Sequence, residues 1–252
     1  MREPTEEAPE RENKISYRMP IYLQLREIVR NKIEDGEYLP GTAIPSENEL
    51  AETYGINRIT VRNAVVALVN EGMLKRVQGK GVFVVGNKME ESLEEYGGFV
   101  PSIGKAKSCT TVKELTKALR PAGDKYANIF NIEPEDPIYY LRQLVSVETE
   151  PLSVEEIFVP HDVIPQLGAV NSSVFTMHDV FAFYDVEMCE MMQGLEIVMG
   201  TPAIRKILNV PDGVVLIMME CTYRDKSGRV IECSKSFHRS DKITFKIKLH
   251  KT

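Results

Sequence analysis

The stretch IPSENELAETYGINRITVRNAVVALVNEG, Ile44 to Gly72, contains two helices whose starts and stops are all spelled out. Ser46 followed three residues later by Glu49 is a capping box, in which each residue satisfies a free backbone N–H of the other. Leu50 and Ala51 then face inward, and Gly55 is placed to end the helix in a left-handed conformation. Asn57 caps the next helix. In that helix Val61, Ala64, Val65 and Leu68 recur at i, i+3, i+4 and i+7, which makes a buried stripe, and Gly72 ends it. Two short, bounded helices joined so closely leave little freedom in how they pack.

The surrounding pattern completes a domain. Upstream, Ile21, Leu25, Ile28, Val29 and Ile33 repeat at helical spacing, and LPG (Leu39 to Gly41) is read as the stop. Downstream the period changes from helical to alternating: MLKRV and VFVV are short strand runs joined by the glycine-rich tip QGKG, Gln78 to Gly81. Helix, helix, helix, hairpin is the order of a winged helix-turn-helix, predicted over residues 19–86. The preceding segment, 1–18, is charged, proline-bearing and poor in large apolar residues, and reads as a flexible tail.

Charge points the same way. The chain carries a net −6, yet between Asn57 and Gly81 Arg58, Arg62, Lys75, Arg76 and Lys80 stand against Glu71 alone, a local +4. Whole-chain charge says little about one binding face. Taken singly, a helix pair is a common packing unit, an arginine pair is a solvated face, and a basic hairpin is only a hairpin. Together they place Asn57, Arg58, Thr60, Arg62 and Asn63 at the N-terminal end of a second helix, the part that such motifs present to base edges in the major groove.

On these residues the run from Pro20 to about Val85 resembles, without a gap, the DNA-binding domain of the GntR family of bacterial regulators. The resemblance implies DNA contacts at Ser46, Asn57, Arg58, Thr60, Arg62, Gln78, Gly79 and Lys80. One departure stands out: PSENELA has Asn48 where the family usually has an arginine that touches DNA. Asn48 can still make a contact, but with one charge fewer. A salt dependence shallower by roughly one counterion per subunit is expected.

GNKMEESLEEYGGF opens a charged, glycine-bearing stretch predicted as a linker over 87–109. Beyond it the pattern repeats itself. RPAGDKYANIFNIEPEDPIYYLRQLVSVETEPLSVEEIFVP and MGTPAIRKILNVPDGVVLIMMECTYRDKSGRVIECSKSFHR both read as helix, turn, strand, tight turn, strand. With TTVKELTKALR and a last strand, KITFKIKL, about six strands and three or four helices are expected over 110–252. That is an α+β domain on an antiparallel sheet. A duplicated sheet can enclose a cavity, or merely pack a core or dimerise. Glu155 and Glu232 each fall in the second strand of a hairpin, on equivalent faces by alternation, and His238 shares the face of Glu232.

This half resembles the UTRA effector domain of the HutC subfamily, related in fold to chorismate lyase, from about Thr110 to Leu249. The resemblance implies effector contacts at Glu155, Ser173, Glu232 and His238. It also implies an R-x-R pair in phosphosugar-binding members, at positions held here by Gln143 and Val145. Arg142 lies next door but points to the other face. Phosphate needs fixed cationic donors, so a neutral polyol or an amine-bearing effector is expected.

The expected protein is therefore a cytoplasmic, homodimeric transcriptional regulator, a repressor by family habit. Its partners would be a pseudopalindromic duplex operator and a small-molecule effector. An enzyme is the rival reading. Against it, no nucleophile–base pair with a supporting third group is visible, and a shared fold does not carry activity with it. Cys109, Cys189, Cys221 and Cys233 form no CxxC pair and the four histidines show no ligand spacing, so neither metal nor cofactor is expected. No signal peptide and no membrane span are predicted.

Overall fold

The computed structural model describes residues 19–86, 100–102, 110–211 and 213–246. The expected tail lies outside the described residues, as does most of the expected linker. The chain divides into two compact units between Val85 and Gly86.

The first unit runs α1 (Ile21–Glu34), α2 (Glu47–Tyr54), α3 (Arg58–Asn70), β1 (Leu74–Val77) and β2 (Gly81–Val84). Leu25 and Val29 of α1, Leu50 of α2, and the expected stripe Val61, Ala64, Val65 and Leu68 of α3 pack with Leu74 and Val84, whereas Ile21, at the start of the α1 repeat, is 44% exposed. The capping box at Ser46 and the left-handed Gly55 (φ 62°) bound α2 as read from the sequence. α1 ends earlier than expected. Asp35 caps it and Gly36 turns left-handed at φ 75°, so the helix is over before LPG is reached. A glycine directly after a C-cap is the stronger stop, because it adopts positive φ without steric cost.

The second unit is built on a six-stranded antiparallel sheet. In chain order it has β3 (Val100–Ser102), β4 (Thr110–Pro121), α4 (Gly123–Phe130), β5 (Pro137–Val147), β6 (Glu150–Pro160), a 3-10 turn (Pro165–Gly168), α5 (Met177–Phe183), β7 (Glu190–Val198), α6 (Pro202–Leu208), β8 (Leu216–Arg224), β9 (Val230–Arg239) and β10 (Thr244–Lys246). The sheet order β4-β5-β6-β9-β8-β7 reads as a palindrome of two β-α-β-β halves. The halves meet along one seam, Ser153–Phe158 of β6 against Cys233–His238 of β9. α4 and α6 close alike, on Asn131 (φ 54°) and Asn209 (φ 49°). Asparagine tolerates that left-handed cap better than most residues.

Two expectations need correction. The duplication starts one strand earlier than it was read, because β7 is a strand that the sequence did not announce. Met192, Leu195 and Ile197 on it are exposed, and Gly194 interrupts it, so no clean alternation marks it. The described part of the terminal KITFKIKL, residues 242–246, does not join the large sheet. Its strand, Thr244–Lys246, pairs instead with Val100–Ser102, inside the expected linker. Pairing between such distant short segments leaves no local periodicity to read.

The two faces of the sheet differ. Ile138, Val154, Phe158, Leu216 and Val230 pack beneath α4 and α6. Residues alternating with them face the other way, toward the segment around α5.

Candidate nucleic-acid interface and ligand cavity

On the first unit, the start of α3 and the hairpin tip are exposed. Asn57 is committed as the cap: its Oδ1 accepts from the Thr60 N–H at 2.8 Å and from the Thr60 hydroxyl at 2.9 Å. Ser46 is likewise used locally, its Oγ accepting from the Glu49 N–H while Glu49 accepts from the Ser46 N–H. Asn48, Arg58, Arg62 and Asn63 stand in solvent. At the tip, Gly79 (φ 73°) and Gly81 (φ 124°) make the turn that leaves Gln78 and Lys80 exposed.

The organising group is one that the sequence reading passed over. Glu47, first residue of α2, has a side chain only 10% exposed. Its Oε2 accepts from Arg58 Nε at 3.3 Å and from Arg62 Nε and Nη2 at 3.3 and 3.2 Å. Its Oε1 accepts from Arg76 Nη2 of β1 at 2.9 Å. Burial pushes its pKa up, but the hydrogen bonds from Arg62, Arg76 and Arg58 outweigh that and hold it below the usual carboxylate range. One carboxylate thus gathers three arginines from two elements, and a planar guanidinium held in place is suited to bidentate recognition. From the sequence Glu47 is not singled out, and Arg76 counts as charge but not as a site. Beside Arg58, Ile59 is 73% exposed, an apolar group next to the arginines.

On the second unit, the sheet face opposite the helices floors a cavity of about 420 Å³. β5 contributes Gln143 and Val145, β6 Glu155 and Ile157, β8 Met219, Cys221 and Tyr223, and β9 Glu232, Ser234, Ser236 and His238. Ser172 to His178 and Met188 roof it. The roof is tied down at the β4 bulge. Ser172 Oγ donates to Glu114 Oε2 at 2.5 Å, the Glu114 N–H donates to Ser173 Oγ, and Lys117 Nζ donates to the Val170 carbonyl. Gln143 Nε2 holds the same strap through the Ser172 carbonyl at 3.2 Å.

The cavity is electrostatically lopsided. Glu232, 4% exposed, is pushed up to about 8, first by burial and then by the charge of Glu155. Burial also raises Glu155 and Tyr223. His238 is brought down to about 4 by burial, so it is neutral at physiological pH, with Nε2 2.7 Å from Ser236 Oγ. Among the described residues that line the cavity there is no lysine or arginine. Arg142 is indeed on the opposite face, where it binds Glu156.

Comparison with known proteins decides the family. The model described as "Bacterial regulatory proteins, gntR family" matches residues 21–84, and the UTRA domain model matches 108–244. The HTH-type transcriptional regulator YurK of Bacillus subtilis is 32% identical over 232 residues, covering 90% of this chain and 95% of its own. The chain belongs to the GntR family. A further relative of this GntR-family regulator is the HTH-type transcriptional repressor NagR of B. subtilis, 28% identical, covering 90% of this chain and 93% of its own. Among solved structures, YydK of B. subtilis superposes with a TM-score of 0.54 at 18% identity, covering 91% of this chain and 100% of its own. The C-terminal domain of the histidine utilization repressor of Pseudomonas syringae gives 0.53 at 13%, covering 56% and 99%. At these identities the structures speak for the fold.

In this GntR-family regulator all six residues anticipated for the effector, Gln143, Val145, Glu155, Ser173, Glu232 and His238, line one cavity. The anticipated DNA residues lie on one unit and are exposed, apart from Thr60, which is partly covered. Within the described residues, no helix is long and apolar enough to cross a membrane.

Proposed function

We propose that this bacterial transcriptional regulator binds a pseudopalindromic operator as a homodimer, represses from it, and is released or retained by a small molecule held in the 420 Å³ cavity. The arginine cluster on Glu47 carries the reading. Its three guanidiniums are exposed, held together, and adjacent to the N-terminus of α3, where such motifs read the major groove. Asn48, Asn57, Asn63, Gln78, Gly79 and Lys80 surround it as further base or phosphate contacts, with Ser46 and Thr60 at the helix starts. A single recognition helix reads few bases, so two copies related by a dyad are required. The exposed Met192, Ile197 and Met199 along the β7 edge supply apolar surface for a second copy. Glu155, Glu232, Ser173 and His238 are the proposed ligand contacts, with Gln143 acting through the roof. Loss of the phosphate-binding arginines favours a neutral polyol or an amine over a sugar phosphate. We read the cavity as a binding site rather than a catalytic one. DNA and ligand then change each other's affinity by one common factor.

The test is a gel shift with an operator selected from random duplexes. Arg62→Ala abolishes specific binding while circular dichroism and sedimentation stay those of the parent; undiminished specific binding removes Arg62 from the interface. Glu232→Gln weakens the ligand response. An equal loss of operator affinity makes that residue structural.

A further inference from the structure

We propose that the cavity is a cation site whose ligand is an organic amine, bound with its ammonium group between Glu155 and Glu232 and its hydroxyls along Ser234 and Ser236. The inference rests on the cavity being the effector site. It begins with register. Glu155 of β6 stands opposite Ser236 of β9, and Ile157 stands opposite Ser234. Glu232 is the next residue of β9 on the same face, so the two carboxylates bracket the Ser234–Ile157 rung. All five residues line the cavity.

The second observation is pairing. Elsewhere on this sheet three carboxylates are paired with cations: Glu156 with Arg142, Glu220 with Lys235 and Glu114 with Lys117. Among the described residues Glu155, half-buried in the cavity floor, and Glu232, 4% exposed, have no such partner. A buried carboxylate without a counter-charge is costly, and a second carboxylate in the same cavity adds to the cost. A polyol needs only hydroxyls and amides, which the cavity also has, so it gives no reason for two acids. An anion would be repelled. An ammonium ion supplies the missing charge and donates to both carboxylates.

Binding then moves a proton. The titratable groups around Glu232 are Glu155 on β6, Cys221 and Tyr223 on β8, His238 on β9 and His178 on the roof. In the empty cavity at neutral pH Glu232 holds its proton. As the ammonium arrives already protonated, the carboxyl proton leaves to buffer and a carboxylate–ammonium pair remains.

The experiment is calorimetry on the full chain with matched probes: D-glucosamine against D-glucose, and 4-aminobutan-1-ol against butane-1,4-diol, with D-glucose 6-phosphate as the anion. In at least one pair the amine binds about tenfold or more tighter than its neutral partner, the scale of one good charge-assisted contact. Repeating that titration in buffers of different ionisation enthalpy reads proton release. Glu155→Gln and Glu232→Gln each erase the amine's advantage; either one suffices if the other fails to fold. Equal binding within both pairs, or tightest binding by the phosphate, overturns the proposal. Operator binding measured in parallel separates the two ideas. Without it the regulator reading fails; with it intact and no amine preference, only the cation site is wrong.

Discussion

Replacing Glu47 with glutamine removes one negative charge from a DNA-facing cluster, and simple Coulomb reasoning says that DNA should then bind tighter. The geometry argues the reverse. Arg58, Arg62 and Arg76 are 59%, 53% and 42% exposed, and the carboxylate of Glu47 is what holds them in register. Immobilising a long side chain on binding costs roughly 0.5–1.5 kcal/mol. With three arginines ordered beforehand, about 1.5–4.5 kcal/mol of that cost is met in the free protein. Glutamine still offers one acceptor, which keeps part of the order. The charge removed favours phosphate by only about 0.5–1 kcal/mol at ordinary ionic strength. The balance is a weakening of about 1–2 kcal/mol, or roughly 5- to 30-fold in Kd. Fluorescence anisotropy with operator and scrambled duplex over a salt series reads it. Specific binding falls more than non-specific binding. The salt slope does not become shallower, because no cation was lost, whereas Arg62→Ala makes it shallower by about one per subunit. Thermal stability changes little, since the arginines are well solvated. If Glu47→Gln bound operator more tightly with undiminished discrimination, Glu47 would be a brake on DNA binding and the reasoning above would be refuted.

Glu232 gives the fold a pH dependence of definite sign. Below about 4.5 it is protonated in both states; between there and about 8 the unfolded chain ionises and the folded one does not, so stability falls with rising pH across that window and then levels. Glu232→Gln removes the slope, gaining at most about 5 kcal/mol over wild type at alkaline pH; parallel urea-denaturation curves against pH for the two proteins would falsify this. Ile59→Ala relaxes a preference for thymine at one operator position, through loss of methyl contact worth about 1 kcal/mol, and an unchanged selected-site profile would exclude Ile59 from base contact. Glu114→Ala unties the cavity roof, and hydrogen exchange across 170–176 accelerates while the β6–β9 ladder keeps its protection; uniform acceleration would mean global destabilisation instead.

What the sequence disclosed follows from the range of the interactions involved. The winged helix-turn-helix was legible almost residue by residue, because capping at Ser46 and Asn57, the stop at Gly55 and the stripe of α3 are all local signals. Glu47 escaped notice because its meaning lies in Arg58, Arg62 and Arg76, which are brought to it by tertiary packing. The shared face of Glu155, Glu232 and His238 followed from strand alternation, which survives any uncertainty about strand order. The edge strand β7 did not follow, since an edge with exposed methionines and an internal glycine has no alternation to betray it. Nor did β10 leaving the sheet for Val100–Ser102, a choice between distant partners that no window of sequence contains. The second role of Gln143 was likewise invisible: its amide nitrogen is occupied by the Ser172 carbonyl, which the chain supplies from beyond the next strand.

The palindromic sheet has a consequence for how the second domain folds. Each β-α-β-β half pairs strands that are neighbours in the chain, while the β6–β9 seam joins segments separated by the whole roof, α5, β7, α6 and β8. Closing that long loop is the entropically expensive event, so the halves form early and the seam late. Glu155 and Glu232 lie on opposite sides of the seam, and the cavity floor does not exist until it has closed. A ligand spanning both carboxylates therefore acts after the barrier: it lengthens the lifetime of the folded domain and leaves its refolding rate unchanged.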